Sequence, residues 1–437
     1  MATELSTDIR AGIERAWAAL DEDAIGQLVF DMTSIPSPSG EERRLAAFVA
    51  DHLKRAGLEA GIQEVAGEQA NLVARIRGTG DGPSVMLYAP LDTAFSGDRE
   101  EDRPFLGDDP RPDFALPPRR DGSLVIGLGA ENPKGFAAAA IAAVQAVAQA
   151  SVEPRGDIVL ALASGSMPVD RRPGVERAPV GFGTGIRHLL DAGPRPDFAV
   201  VLKPGYAVAH AEVGLAWFQI AIRGAVNYTG IRHKGPYRNP ILAAARVVGE
   251  LEAWFAGFSD RHADESVMPQ GSINAIRAGS PDQASFIPAH CEIDLDLRIG
   301  PRTSAVAVEA ELSALIEELR GADPDIAISL ERRFALPGTH TDPDSAVVRA
   351  LVRAWEAREG KEHAPPARTS GASDAAIIRD SGIPTARIGL PPPSTPSPYA
   401  GFSMGVVDVT SVHRLAEVLA YAMIDLSAKN RAEAGLA

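Results

Sequence analysis

Residues 84–95 read Ser84-Val85-Met86-Leu87-Tyr88-Ala89-Pro90-Leu91-Asp92-Thr93-Ala94-Phe95. The nearly unbroken apolar run is that of a central strand buried on both faces. Asp92 then falls in the turn that follows the strand. Working outward, Asn71–Arg77 reads as a neighbouring strand. Residues 22–34 and 41–56 carry apolar positions at helical spacing, split by the breaker Ile35-Pro36-Ser37-Pro38-Ser39-Gly40. Ser39 and Glu42 have the spacing of a capping box opening the second helix. Downstream, a Pro-, Asp- and Arg-rich stretch at 96–122 reads as a long surface loop. A short strand (Ser123–Ile126), a Gly-rich turn (Gly127–Gly135) and an Ala-rich helix follow, then buried strands at Asp157–Ala163 and Asp197–Leu202. Strands alternating with helices predict an α/β fold, a mostly parallel sheet sandwiched by helices.

The pattern changes near residue 213. Gly214–Arg223 is a strand, Asn239–Phe258 a helix, Gly271–Ala278 and His290–Ile299 strands, Ser304–Leu319 a helix and Asp325–Arg333 a strand. This β-α-β-β-α-β order predicts an inserted ferredoxin-like α+β domain. Helices at Asp344–Glu359 and Ser373–Asp380, a strand at Pro384–Gly389, a Pro-rich loop (391–399) and a helix at Thr410–Ala428 return to the first pattern. The expected organisation is a catalytic-type domain in two parts, 1–212 and 336–437, interrupted by a lid domain at 213–335.

Composition narrows the function classes. A chain of 437 residues exceeds one ordinary core, and a net charge of −15 argues against nucleic acid or an anionic membrane as partner. One cysteine, Cys291, excludes a disulfide framework or a thiolate metal cluster. The N-terminus lacks a basic segment followed by an apolar one, and residues 135–150 are too short and too weakly apolar to span a bilayer. A cytoplasmic location is the expectation.

Seven blocks, taken in order, carry a resemblance: IPSPSGEE (35–42), NLVARIRG (71–78), VMLYAPLDTAF (85–95), DGSLVIGLGAENPKG (121–135), IDLDLRIGP (293–301), TSGASDAAIIRDSGIPT (369–385) and VVDVTSV (406–412). Together they resemble the acetylornithine deacetylase, succinyl-diaminopimelate desuccinylase, aminoacylase and carboxypeptidase G family of di-zinc amidohydrolases and exopeptidases. The resemblance implies a zinc-exopeptidase-like fold, a lid that closes over a small-molecule ligand, and a homodimer formed through the lid.

It also implies two zinc ions held by imidazole and carboxylate, and here the sequence departs from the pattern. Asp92 matches the aspartate that orients a metal-bound His, but that His position is Pro90. The bridging Asp position is Asn132, the paired Glu positions are Ser166 and Met167, a further carboxylate position is Lys203, and the last His falls on or beside Gly401. An ammonium at Lys203 repels a dication. The expectation is no family-type metal site and no other cofactor.

The candidate residues each carry two readings. Lys203, ending a buried strand where parallel sheets bind ligands, either replaces the lost cationic charge beside Asp92 or is a structural ion pair. Ser166 with Lys203 is either a nucleophile–base pair or a plain loop serine. Asp92 is either a general base or an acceptor of turn N–H groups. His233 is the acid–base candidate of the polar cluster Tyr228, Arg232, His233 and Lys234, and Tyr228 stands at the resemblance's lid-His position. Arg298 offers either a fork for a substrate carboxylate or a salt bridge to Asp294 or Asp296. Glu131, Asn132, Gly371 and Asp374 complete the substrate-binding candidates, with Glu131 and Lys134 alternatively a surface pair and Asp374 a helix cap.

Three functions follow: a metal-independent enzyme acting on a small anionic amide or amino-acid-like molecule; an inactive pseudoenzyme that binds a small molecule or a partner; and, as a residual alternative, an ordinary zinc-dependent deacylase or exopeptidase.

Overall fold

The computed structural model describes residues 5–172, 175–176, 178–193, 195–235, 237–322 and 327–436. The chain divides into two compact units. One comprises residues 1–210, 341–366 and 373–437; the other comprises 211–340 with 367–372.

In the first unit a six-stranded sheet runs in the order Glu59–Ala66, Gln69–Ile76, Ile158–Ala163, Val85–Pro90, Phe198–Leu202, Thr385–Ile388. The last four strands are mutually parallel and the first two pair antiparallel. Parallel neighbours require crossovers. The helix Phe136–Gln149 supplies the one between Val85–Pro90 and Ile158–Ala163, and Thr184–Ala192 the next. All six residues of Val85–Pro90 are buried, so period-2 alternation is absent and the run is apolar on both faces.

One face of the sheet, with Leu87, Leu160 and Val200, shares a core with the Ala-rich helix and with Val409–Ser427. Alanines at 137–140 are fully buried, leaving no side-chain bulk between that helix and its neighbours. The other face is served by Thr184–Ala192 and Ala375–Asp380. A small three-stranded sheet (Arg119–Asp121, Leu124–Ile126, Val406–Asp408) brings the Gly-rich turn beside the C-terminal segment.

The stretch 96–122 is not a continuous loop. Asp98 accepts the N–H groups of Glu100 and Glu101 and opens a helix at Arg99–Leu106, and Arg119–Asp121 is a strand. Helices at Thr7–Ala18 and Thr184–Ala192 and the edge strand Glu59–Ala66 are further elements that apolar periodicity did not reveal. The capping box also fails. The helix Arg43–Arg55 starts after Glu42 with no side-chain cap, because Ser39 and Glu42 both turn inward.

The second unit is a four-stranded antiparallel sheet ordered Gln270–Ala278, His290–Ile299, Gly214–Arg223, Ala327–Leu336, with helices Pro240–Ala256 and Ala305–Ala322. Alternate strand residues Phe218, Ile220, Ile222, Ile293, Leu295 and Leu297 form its core with one face of each helix. Asn239 caps the first helix and Pro240 occupies its first turn. No helix among the described residues is long and apolar enough to cross a membrane.

Candidate functional site

The parallel strands carry their following turns to one edge of the sheet. Val85–Pro90 leads to Asp92, Ile158–Ala163 to Gly165-Ser166-Met167, and Phe198–Leu202 to Lys203. Asp92 is completely buried and saturated. Its Oδ1 accepts the Ser166 N–H at 2.9 Å; its Oδ2 accepts the Met167 N–H at 2.8 Å and the Ser39 hydroxyl at 2.6 Å. Burial pushes the carboxyl up, while the Ser39 hydroxyl, the two N–H groups and the Lys203 charge pull it back.

Beside it lies a second buried carboxyl, Glu42. Its Oε1 accepts the N–H groups of Gly40 at 3.0 Å and Gly165 at 2.9 Å, and its Oε2 has no hydrogen-bond partner. Burial, then the charge of Asp92, pushes Glu42 up to about 8. Gly165 is required there. Its φ is +59°, and a Cβ would collide with the Thr184 hydroxyl and the Val180 carbonyl.

The third carboxyl, Asp374, accepts the phenol O–H of fully buried Tyr88. Burial pushes Asp374 up to about 6 against the pull of the Lys203 charge and of the Tyr88 and Ser166 hydroxyls. Burial and Asp374 hold Tyr88 well above the ordinary phenol range, so Tyr88 stays a neutral donor. Ser166 adjoins Tyr88 and Asp374 closely enough to influence both, yet its buried hydroxyl makes no hydrogen bond of ordinary geometry. Lys203, 7% exposed, places one ammonium whose charge acts on both Asp92 and Asp374.

The Gly-rich turn forms a neighbouring cluster. The N–H groups of Glu131 and Asn132 both donate to the Met404 carbonyl at 3.1 Å. The Asn132 amide nitrogen faces the Met404 sulfur at 3.6 Å, and its buried Oδ1 has no partner. Glu131 and Lys134 are not a surface pair. Lys134 is 1% exposed and donates to the Ile35 carbonyl at 2.8 Å, burial pushing it down to about 7. Burial likewise pushes Glu131 up to about 7, where it lines a cavity of about 250 Å³ with Tyr399, Gly401 and Asp408.

Of the sequence candidates, Asp92, Ser166, Lys203 and Asp374 therefore come together, with Glu131 and Asn132 in the same unit. Tyr228, His233, Arg298 and Gly371 belong to the other unit. There, Tyr228 is 48% exposed with its ring 5.7 Å from that of Phe286, and His233 is exposed on a short 3-10 turn. The Arg298 fork is occupied by both oxygens of Asp296, at 2.9 and 2.7 Å, and by the Ser370 carbonyl at 3.3 Å. Sequence reasoning missed Tyr88, Ser39 and Glu42 as site groups. Tyr88 is the one polar atom carrier inside an otherwise apolar strand, a signal that was available.

At the positions where the resemblance places metal ligands, the residues are Pro90, Asn132, Met167, Lys203 and one at or beside Gly401, with Ser166 at the position of the base. Among the described residues, no group of three or more His, Cys, Asp or Glu is arranged to hold a metal ion.

Comparison with known proteins matches residues 86–425 to the profile of peptidase family M20/M25/M40. The chain is 27% identical over 379 residues to succinyl-diaminopimelate desuccinylase of Stenotrophomonas maltophilia, covering 84% of this chain and 90% of that protein. It is 23% identical over 391 residues to N-formyl-4-amino-5-aminomethyl-2-methylpyrimidine deformylase of Bacillus subtilis, covering 82% and 85%. Among solved structures, human carnosine dipeptidase 1 superposes with a TM-score of 0.70 at 15% identity, covering 95% of this chain and 98% of that one. That structural likeness speaks for the fold, and the matched span, most of the chain, speaks for descent. The chain belongs to peptidase family M20/M25/M40.

Proposed function

We propose that this chain is a metal-independent member of its family that acts on a small anionic amide- or amino-acid-like molecule at the ends of its parallel strands. The observation that carries the reading is Lys203. A buried ammonium acts on Asp92 and Asp374 from a position the resemblance assigns to a metal-binding carboxylate. The donor set does not suit two dications: Pro90 and Gly401 offer no side-chain donor, and a nearby ammonium opposes a dication. An ammonium instead suits the carboxylate of an amino-acid-like ligand.

A second reading, a binding protein without turnover, draws support from Asp92. With both oxygens engaged by two N–H groups and a hydroxyl, Asp92 serves the turn and is a poor proton acceptor. Self-association through the second unit is part of the proposal, supported by the exposed apolar side chains Val226, Tyr228, Ile231 and Phe286. The test is metal content after purification with zinc, together with hydrolysis of N-acyl amino acids in the presence of chelator. Well under one ion per chain with chelator-resistant turnover supports the enzyme. Ligand binding without turnover supports the second reading. Two ions per chain, with activity lost on their removal, defeats both.

A further inference from the structure

A cavity of about 950 Å³ in the first unit lies away from these groups. It is bordered by Arg155, which precedes the strand Ile158–Ala163, and by Ala428 and Lys429, which follow the helix Val409–Ser427. Ser166 follows that same strand at its other end. Six residues of strand, about 20 Å, therefore separate the cavity's level from the site described above.

Its lining combines two chemistries. Leu5, Ile9, Ala346 and Val352 supply an apolar wall. The charged residues are Arg155, Arg349, Arg353 and Lys429 against Asp425 and Glu433. This is a cationic surplus on a chain whose net charge is −15. The surplus is built in. Asp425 is completely buried and answers two cations, with Arg353 Nε at 3.0 Å and Lys429 Nζ at 2.8 Å. Arg155 is engaged by Asp81, and the Glu433 carboxylate accepts the Asn430 N–H at 2.9 Å. Arg349, one helical turn before Arg353, makes no side-chain hydrogen bond or ion pair among the described residues. A concave site with apolar walls focuses the field of such charges, and its volume is that of a small-molecule pocket.

We propose that this cavity is a second ligand site, taking a small amphipathic anion whose acidic head pairs with the Arg349 guanidinium and whose apolar body lies against Ile9, Ala346 and Val352. The guanidinium fork fits a carboxylate or sulfonate, and the apolar wall excludes a bare inorganic anion as the best occupant. The site lies at the amino ends of the strands and shares no residue with the Lys203 cluster.

The probe is 8-anilinonaphthalene-1-sulfonate, titrated by fluorescence with the full chain and then displaced with decanoate. The expected result is one saturable site per chain, displaced by decanoate. Arg349→Glu weakens it by about tenfold or more through charge reversal, Ala346→Trp closes it, and Lys203→Ala leaves it unchanged. Arg349 is exposed, so its variant keeps the wild-type melting temperature and remains informative if the tryptophan variant fails to fold. Dye binding that survives Arg349→Glu at wild-type strength, dye binding lost in Lys203→Ala, or no saturable site at all overturns the proposal. Because Lys203→Ala is a separate arm, failure here is distinguishable from failure of the proposed function.

Discussion

Replacing Glu42 by Gln isolates the charge stored in the buried carboxyl cluster. The Gln carbonyl retains the acceptor that Gly40 and Gly165 use, so the turn geometry survives while the ionisable proton is removed. In the unfolded chain Glu42 ionises near 4.5; in the folded chain burial and Asp92 hold its proton to about 8. At about 1.4 kcal/mol per pH unit, that gap corresponds to about 5 kcal/mol. This is a ceiling, since Asp92 shares the interaction. The folded state binds more protons across this window, so Glu42 makes stability fall as pH rises from about 4.5 to about 8, and the loss is complete above it. Burial raises Asp92, Asp374 and Glu131 in the same direction, so only the difference between wild type and variant isolates Glu42. Urea unfolding followed by circular dichroism at pH 5, 6.5 and 8.5 measures it. Glu42→Gln is expected to match wild type near pH 5 and to exceed it by about 2–5 kcal/mol at pH 8.5. A variant equally destabilised at all three values would refute the reasoning, since it would mean that Glu42 is held as a carboxylate.

Lys203→Met leaves Asp92 and Asp374 without their common counter-charge and is expected to lower stability by about 3–5 kcal/mol. The urea midpoint at pH 7 reads it, with partial recovery at pH 5 as Asp374, already pushed up to about 6 by burial and raised further without the Lys203 charge, takes up its proton. Asp92→Ala orphans the N–H groups of Ser166 and Met167 and the Ser39 hydroxyl, at a cost of about 3 kcal/mol or more; hydrogen exchange at 166 and 167 is expected to rise. Gly165→Ala forces a side chain into a backbone with φ +59° and onto Thr184 and Val180, and is expected to cost above about 2 kcal/mol in thermal unfolding. In the second unit, Arg298→Lys loses the two-pronged contact with Asp296 and is expected to cost about 1–2 kcal/mol. No change in the melting temperature would return Arg298 to a free ligand-binding role.

Sequence legibility tracked how local the governing interaction was. Gly214–Arg223 and His290–Ile299 match their predicted bounds because inside/outside alternation is a property of each strand alone. Val85–Pro90 and the Ala-rich helix were equally plain, their burial being written in composition. The edge strand Glu59–Ala66 was not, because it is mostly exposed and exists through its pairing with Gln69–Ile76. In the breaker, Ser39 and Glu42 carried a local capping signal that lost to partners 53 and 123 residues away, Asp92 and Gly165.

Composition, periodicity and block order thus determined by themselves an α/β sheet with an inserted α+β unit. They could not decide what the polar candidate residues do. Whether Asp92 is a base or a turn acceptor, whether Arg298 is free or forked to Asp296, and whether Glu42 keeps its proton depend on burial and on groups distant in the chain. Only tertiary contact sets those, because desolvation and charge act through space rather than along the sequence.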